Sequence, residues 1–71
     1  MIKTLTGRYD HVDKARNAMD DLIGTGIPRE KLYFDEKANC VKVITPGDTE
    51  REVREILGRH EPVEVIERAM D

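Results

Sequence analysis

The chain has one cysteine and no tryptophan, and its aromatic side chains are two tyrosines and one phenylalanine. A lone Cys40 cannot close an internal disulfide, and two histidines far apart in sequence give no Cys/His cluster at zinc-ligand spacing. No structural metal and no cofactor is expected. No apolar run approaches the roughly 20 residues that a membrane-spanning helix needs. Met1 is followed by a short strand-like segment with no signal-peptide pattern, so the expected location is the cytoplasm, with no membrane partner. A basic excess is missing as well. The 12 Lys and Arg are interspersed with 15 Asp and Glu for a formal charge of -3, which suits a soluble surface and not the basic stripe of a nucleic-acid binder. At 71 residues there is room for one domain with one small core, for which oligomerisation is a natural supplement.

What the chain does have is one complete amphipathic helix between Tyr9 and Pro28. Val12, Ala15, Ala18, Met19, Leu22 and Ile23 recur at three- and four-residue steps, and charged or amide residues fill the positions between them. Asp10 is placed to act as N-cap, with Asp13 adding negative charge to the first turn. Gly24 and Gly26 tolerate the positive φ at which a helix stops, and Pro28 prevents its resumption. A helix with one apolar face needs a flat apolar partner, so its flanks are expected to supply strands.

Ile2 to Tyr9 reads as the first strand, with Leu5, Gly7 and Tyr9 on one face. Leu32 to Asp35 and Cys40 to Thr45 alternate in the same way around the polar interruption Glu36 to Asn39, giving an antiparallel hairpin. Thr49 followed by Glu52 is a capping-box signature for a second helix, with Asp48 as the rival cap. Val53, Ile56 and Leu57 form its stripe and His60 extends it, while Glu50 and Arg54 make an exposed i,i+4 pair. After Pro62, Val63 to Arg68 reads as the last strand, and Ala69 to Asp71 as a frayed end. The order βαββαβ predicts an α+β, ferredoxin-like domain over residues 1–71. Its four-stranded antiparallel sheet is expected in the order 4-1-3-2, with two helices on one face.

Strand alternation then assigns the two faces of the sheet. Leu5, Tyr9, Leu32, Phe34, Val41, Val43, Val63 and Val65 are expected toward the helices. The opposite face is expected to carry a cross-strand row of Tyr33, Ile44, Ile2 and Ile66, with Thr6, Arg8, Lys42, Glu64 and Cys40 at its polar end. Three isoleucines and a tyrosine are more apolar surface than a small monomer needs to show, which makes this row the expected interface for a homodimer or another protein.

Chemistry is hard to build from what remains. Cys40, His11 and His60 are the only nucleophile and base candidates, and spacing brings none of them together. They read more simply as a small strand residue, a surface or capping residue, and a helix-terminal residue. Asp20 with Asp21, and Asp35 with Glu36, are adjacent and do not converge on a site. The turns ahead of both helices carry an aspartate where a bound phosphate would need a donor. RNA binding through a sheet asks for two or three exposed aromatics, and only Tyr33 qualifies. The fold hosts many functions. Its metal-chaperone members carry paired cysteines in the first loop, where this chain has Tyr9, Asp10 and His11, and its acylphosphatase-like members carry an arginine in a glycine-rich first loop that is missing here.

Tyr9-Asp10, then Ala15, Ala18 and Leu22, then Gly26-Ile27-Pro28 ahead of a strand, resemble the heat-induced or general-stress YflT-like domain of bacteria over the first half of the chain. The resemblance implies a small bacterial protein with a stress-related role and brings no catalytic residues. The expectation from the whole sequence is a non-enzymatic module that binds itself or another protein through its open sheet. The alternative is a small-ligand-binding regulatory domain of the ACT type, in which the loop after strand one and a dimer interface form the site.

Overall fold

The computed structural model describes residues 2–70, which form four strands and two α-helices in the order β1 (Ile2–Arg8), α1 (Val12–Thr25), β2 (Leu32–Asp35), β3 (Cys40–Pro46), α2 (Glu50–Gly58) and β4 (Glu64–Met70). Short 3-10 turns at Arg29–Lys31 and Gly47–Thr49 lead into β2 and α2. The sheet is antiparallel throughout, in the order β2-β3-β1-β4, which reads 4-1-3-2 from the β4 edge. Leu5, Val41, Val43 and Leu32 from the sheet share one buried cluster with Ala15, Ala18 and Leu22 of α1 and Val53, Ile56 and Leu57 of α2. Both helices therefore cover the same face. Phe34 and Val65, expected inward, pack on this cluster partly buried.

The first helix ends through local chemistry that is legible in the chain. Gly26 adopts φ 106, its N–H donates to the Ile23 carbonyl at 3.1 Å, and the Ile27 N–H reaches back to the Leu22 carbonyl at 3.2 Å. This is a Schellman closure, and Ile27 completes it by packing on the core. Gly24 lies inside the last turn and takes no part in the closure. The start of α1 differs from expectation. His11, not Asp10, is the N-cap, with extended backbone at φ -148 and its Nδ1 accepting from the Asp13 N–H at 3.2 Å. The Asp10 carboxylate is drawn instead to Lys14, 3.2 Å away.

The Thr49 capping box does not form. The hydroxyl of Thr49 turns back to the Pro46 carbonyl at 3.2 Å and shares a short hydrogen bond with the Thr45 hydroxyl, so no side chain caps α2. The 3-10 turn just before α2 aims Thr49 at the strand it has left. The last strand also moves. Val63 falls in the bend ahead of β4 and is exposed, while Ala69 and Met70 pair with Lys3 and Ile2 and do not fray. The seven residues of β1 supply a partner for each residue of β4, and that ladder carries the strand to Met70.

Candidate functional site

The face of the sheet left open by the helices is where the unexplained side chains lie. Residues paired directly across an antiparallel ladder share a face. The ladder joins Tyr33 to Lys42, Lys42 to Thr6 and Thr6 to Ile66, and this is the row that crosses the middle of the open face. The expected row of Tyr33, Ile44, Ile2 and Ile66 is thus corrected. Ile44 pairs with Thr4, and Ile2 lies at the end of the sheet between Pro46 and Met70. The four residues do share one face, since register slips of two residues, or of four between Ile2 and Ile66, preserve the face. What moved was the position along each strand.

The four residues still define the apolar character of this face. Tyr33 is 53% exposed, Ile2 50% and Ile66 36%, whereas Ile44 is half-buried. They are dispersed around polar groups instead of forming one stripe. Between Tyr33 on β2 and Ile66 on β4 lies a shallow hollow of about 520 Å³, whose lining includes Thr4, Thr6, Lys42 and Arg68. Thr4 sits at its floor, 7% exposed, with Ile44 and Arg68 as its register neighbours.

Charge on the face is arranged by position. Arg8 and Glu64 are register partners and form an ion pair at 3.0 Å at one end. Asp35 turns one carboxylate oxygen to the Lys37 and Ala38 N–H groups, both at 3.1 Å, and so holds the β2–β3 turn. Among the described residues, Lys42 and Arg68 have no ion-pair partner within 4.0 Å.

The candidate nucleophile and bases are dispersed. The Cys40 thiol donates to the Ala38 carbonyl at 3.3 Å, and burial, with Asp35 adding to it, pushes its pKa up, away from the thiolate needed for attack. His11 is occupied as the α1 cap, and His60 meets the Asp21 carboxylate at 3.0 Å, tying the end of α2 to α1. No group of three His, Cys, Asp or Glu residues with metal-binding geometry occurs among the described residues, and no helix there is long and apolar enough to cross a membrane.

The structure also shows a cluster that was not anticipated. Lys3 lies on the helix side of β1, with its Nζ 2.7 Å from Glu50 and 3.1 Å from Glu67, and Arg54 pairs with both of those carboxylates. The expected pairing of Glu50 and Arg54 is therefore one side of a four-residue network linking β1, β4 and α2. A signal was available in the sequence. Lys3 shares the parity of Leu5, and Glu67 that of Val65, so each is a charge on an apolar register that needs a partner.

These features define a small α+β domain with an open antiparallel sheet. The chain matches no family model, and no curated protein or solved structure gives a significant match.

Proposed function

We propose that this is a ferredoxin-like, non-catalytic module that associates with a second copy of itself, with the open sheet as its working surface. The observation that supports the reading is the exposure of Ile2, Tyr33 and Ile66 on the one sheet face that no helix covers. A domain with so small a core gains stability by covering such groups. A bacterial, stress-related role belongs to this reading through the YflT-like resemblance alone. The residues carrying that resemblance also have structural duties, since Tyr9, Ala15, Ala18 and Leu22 are buried and Gly26 closes α1.

Sedimentation equilibrium across the micromolar range tests the proposal. A dimer is expected, and Ile66→Glu is expected to weaken it while leaving the far-ultraviolet circular dichroism unchanged. A chain that stays monomeric throughout that range overturns the reading.

The ACT-like alternative draws on a different feature, the hollow that contains Lys42 and Arg68. Two cations without carboxylate partners among the described residues suit a small anionic ligand. A metabolite screen read by melting temperature tests it, and a Lys42→Ala variant that keeps the full ligand-induced shift excludes this hollow.

A further inference from the structure

The two edges of the sheet are unlike. The β2 edge is four residues long and ends in a side-chain-braced turn. The β4 edge runs for seven residues, Glu64–Met70, contains no proline and pairs only with β1. A long edge strand is normally protected by proline, a bulge or an inward charge. The inward charge here is Glu67, and Lys3 and Arg54 neutralise it.

From this we infer that β4 pairs antiparallel with β4 of a second copy about a two-fold axis through Ile66, which rests on the self-association reading above but places the contact along the β4 edge of the sheet, with Tyr33 outside it. The support is the order of side chains along the strand. With Ile66 on the axis, residue numbers of opposing positions sum to twice 66. Ile66 meets the partner's Ile66, Glu64 meets the partner's Arg68, and Arg68 meets the partner's Glu64. All of these lie on the open face, because Ile66, Glu64 and Arg68 share the face of Thr6, Arg8 and Thr4. On the helix side Val65 meets the partner's Glu67. The arrangement covers Ile66, one of the exposed large apolar residues, and gives Arg68 a carboxylate.

Other registers that keep both helix layers on one side are worse. An axis through Glu67 opposes two carboxylates directly, and an axis through Arg68 opposes two guanidinium groups. An axis through Val65 sets Glu64 against the partner's Ile66 and shortens the ladder. The axis through Ile66 is the one among these that opposes unlike charges, Glu64 with Arg68, and sets no like charges directly across from each other. The product is one eight-stranded antiparallel sheet whose two open faces join, leaving Tyr33 of each copy at the outer margins.

Charge reversal and cross-linking test the register. Glu64→Lys alone and Arg68→Glu alone are each expected to weaken self-association about tenfold, since each turns two favourable cross-strand pairs into repulsive ones. An equimolar mixture of the two variants is expected to recover wild-type affinity as a heterodimer, an outcome that a general loss of stability cannot give. In a Cys40→Ser background, Ile66→Cys is expected to form a covalent dimer on mild oxidation, and Tyr33→Cys is not. A wild-type dimer that ignores both charge reversals, or that cross-links through Tyr33→Cys and not Ile66→Cys, overturns the β4 edge but leaves self-association standing. A monomer across the micromolar range overturns both.

Discussion

The Tyr9 hydroxyl donates to the Leu57 carbonyl oxygen at 2.7 Å, joining the exit of β1 to the last turn of α2 in a buried position. Leu57 is near the end of α2, where helix carbonyls lose their intrahelical donors. One phenol thus satisfies a helix-terminal acceptor while its ring fills the core, and Tyr9 is only 2% exposed.

Replacing Tyr9 by Phe is expected to cost about 1–3 kcal/mol, because it leaves the Leu57 carbonyl without a partner inside the protein. Urea unfolding at neutral pH measures this. Burial raises the Tyr9 pKa from 10.0 to about 12. An acid whose folded pKa is raised favours folding fully below its unfolded value, and that contribution drains away between about pH 10 and 12 as the unfolded chain ionises first. Tyr9→Phe is expected to remove this part of the alkaline decline, and an undiminished decline would show that other groups cause it.

Gly7 is made necessary by the same ring. A Cβ at this position would lie 2.9 Å from the Tyr9 Oη, 3.1 Å from its Cε2 and 3.2 Å from the Leu57 Cδ2. The ring cannot withdraw without breaking its bond to Leu57. Gly7→Ala is expected to destabilise by about 1–3 kcal/mol, the usual range for overpacking. The cost should shrink in a Tyr9→Leu background, and a double-mutant cycle showing no coupling would locate the strain elsewhere.

At Gly26 the constraint is backbone conformation, with open space around the missing Cβ and φ at 106. Gly26→Ala is expected to lose about 1–2 kcal/mol by thermal unfolding. Gly24→Ala, in the helix interior with the same open surroundings, is expected to be neutral or to stabilise by up to about 1 kcal/mol. Equal responses at the two sites would contradict the closure described for α1.

The Lys3, Glu50, Arg54 and Glu67 network predicts a pH response at both extremes. Lys3 holds the Glu67 carboxyl below its ordinary 4.5, and Glu50, then Glu67, hold the Lys3 ammonium above its ordinary 10.5. A lowered carboxyl pKa gives stability that is present above 4.5 and is lost as acid is added through the lower folded value. A raised ammonium pKa gives stability that is complete below 10.5 and is lost as pH rises through the folded value. Glu67→Gln should flatten the acid limb of melting temperature against pH, and Lys3→Met should reduce the effect at both limbs. High salt should shrink these differences because the groups are partly exposed.

Much of the fold was legible because it is decided within a few residues. The three- and four-residue spacing of Ala15, Ala18 and Leu22 sets which side of α1 is buried, Gly26 stops that helix, and alternation in Leu32–Asp35 and Cys40–Pro46 separates core residues from open-face residues. The same alternation assigned Tyr33, Ile2, Ile44 and Ile66 to one face. Such features depend on backbone geometry and local periodicity, which a linear sequence carries directly. Register did not follow, because a shift of two residues leaves every side chain on its own face and changes only its neighbours. The ladders of β1 with β3 and β4 therefore decided that Thr6, and not Ile2, stands beside Ile66. Tertiary packing likewise gave His60 to Asp21 and gathered Lys3 with Glu50 and Glu67. The turning of Thr49 away from its helix is settled within four residues by the 3-10 turn at Gly47–Thr49, whereas the other two are choices between partners far apart in the chain, and only the assembled sheet and helices set the distances that decide them.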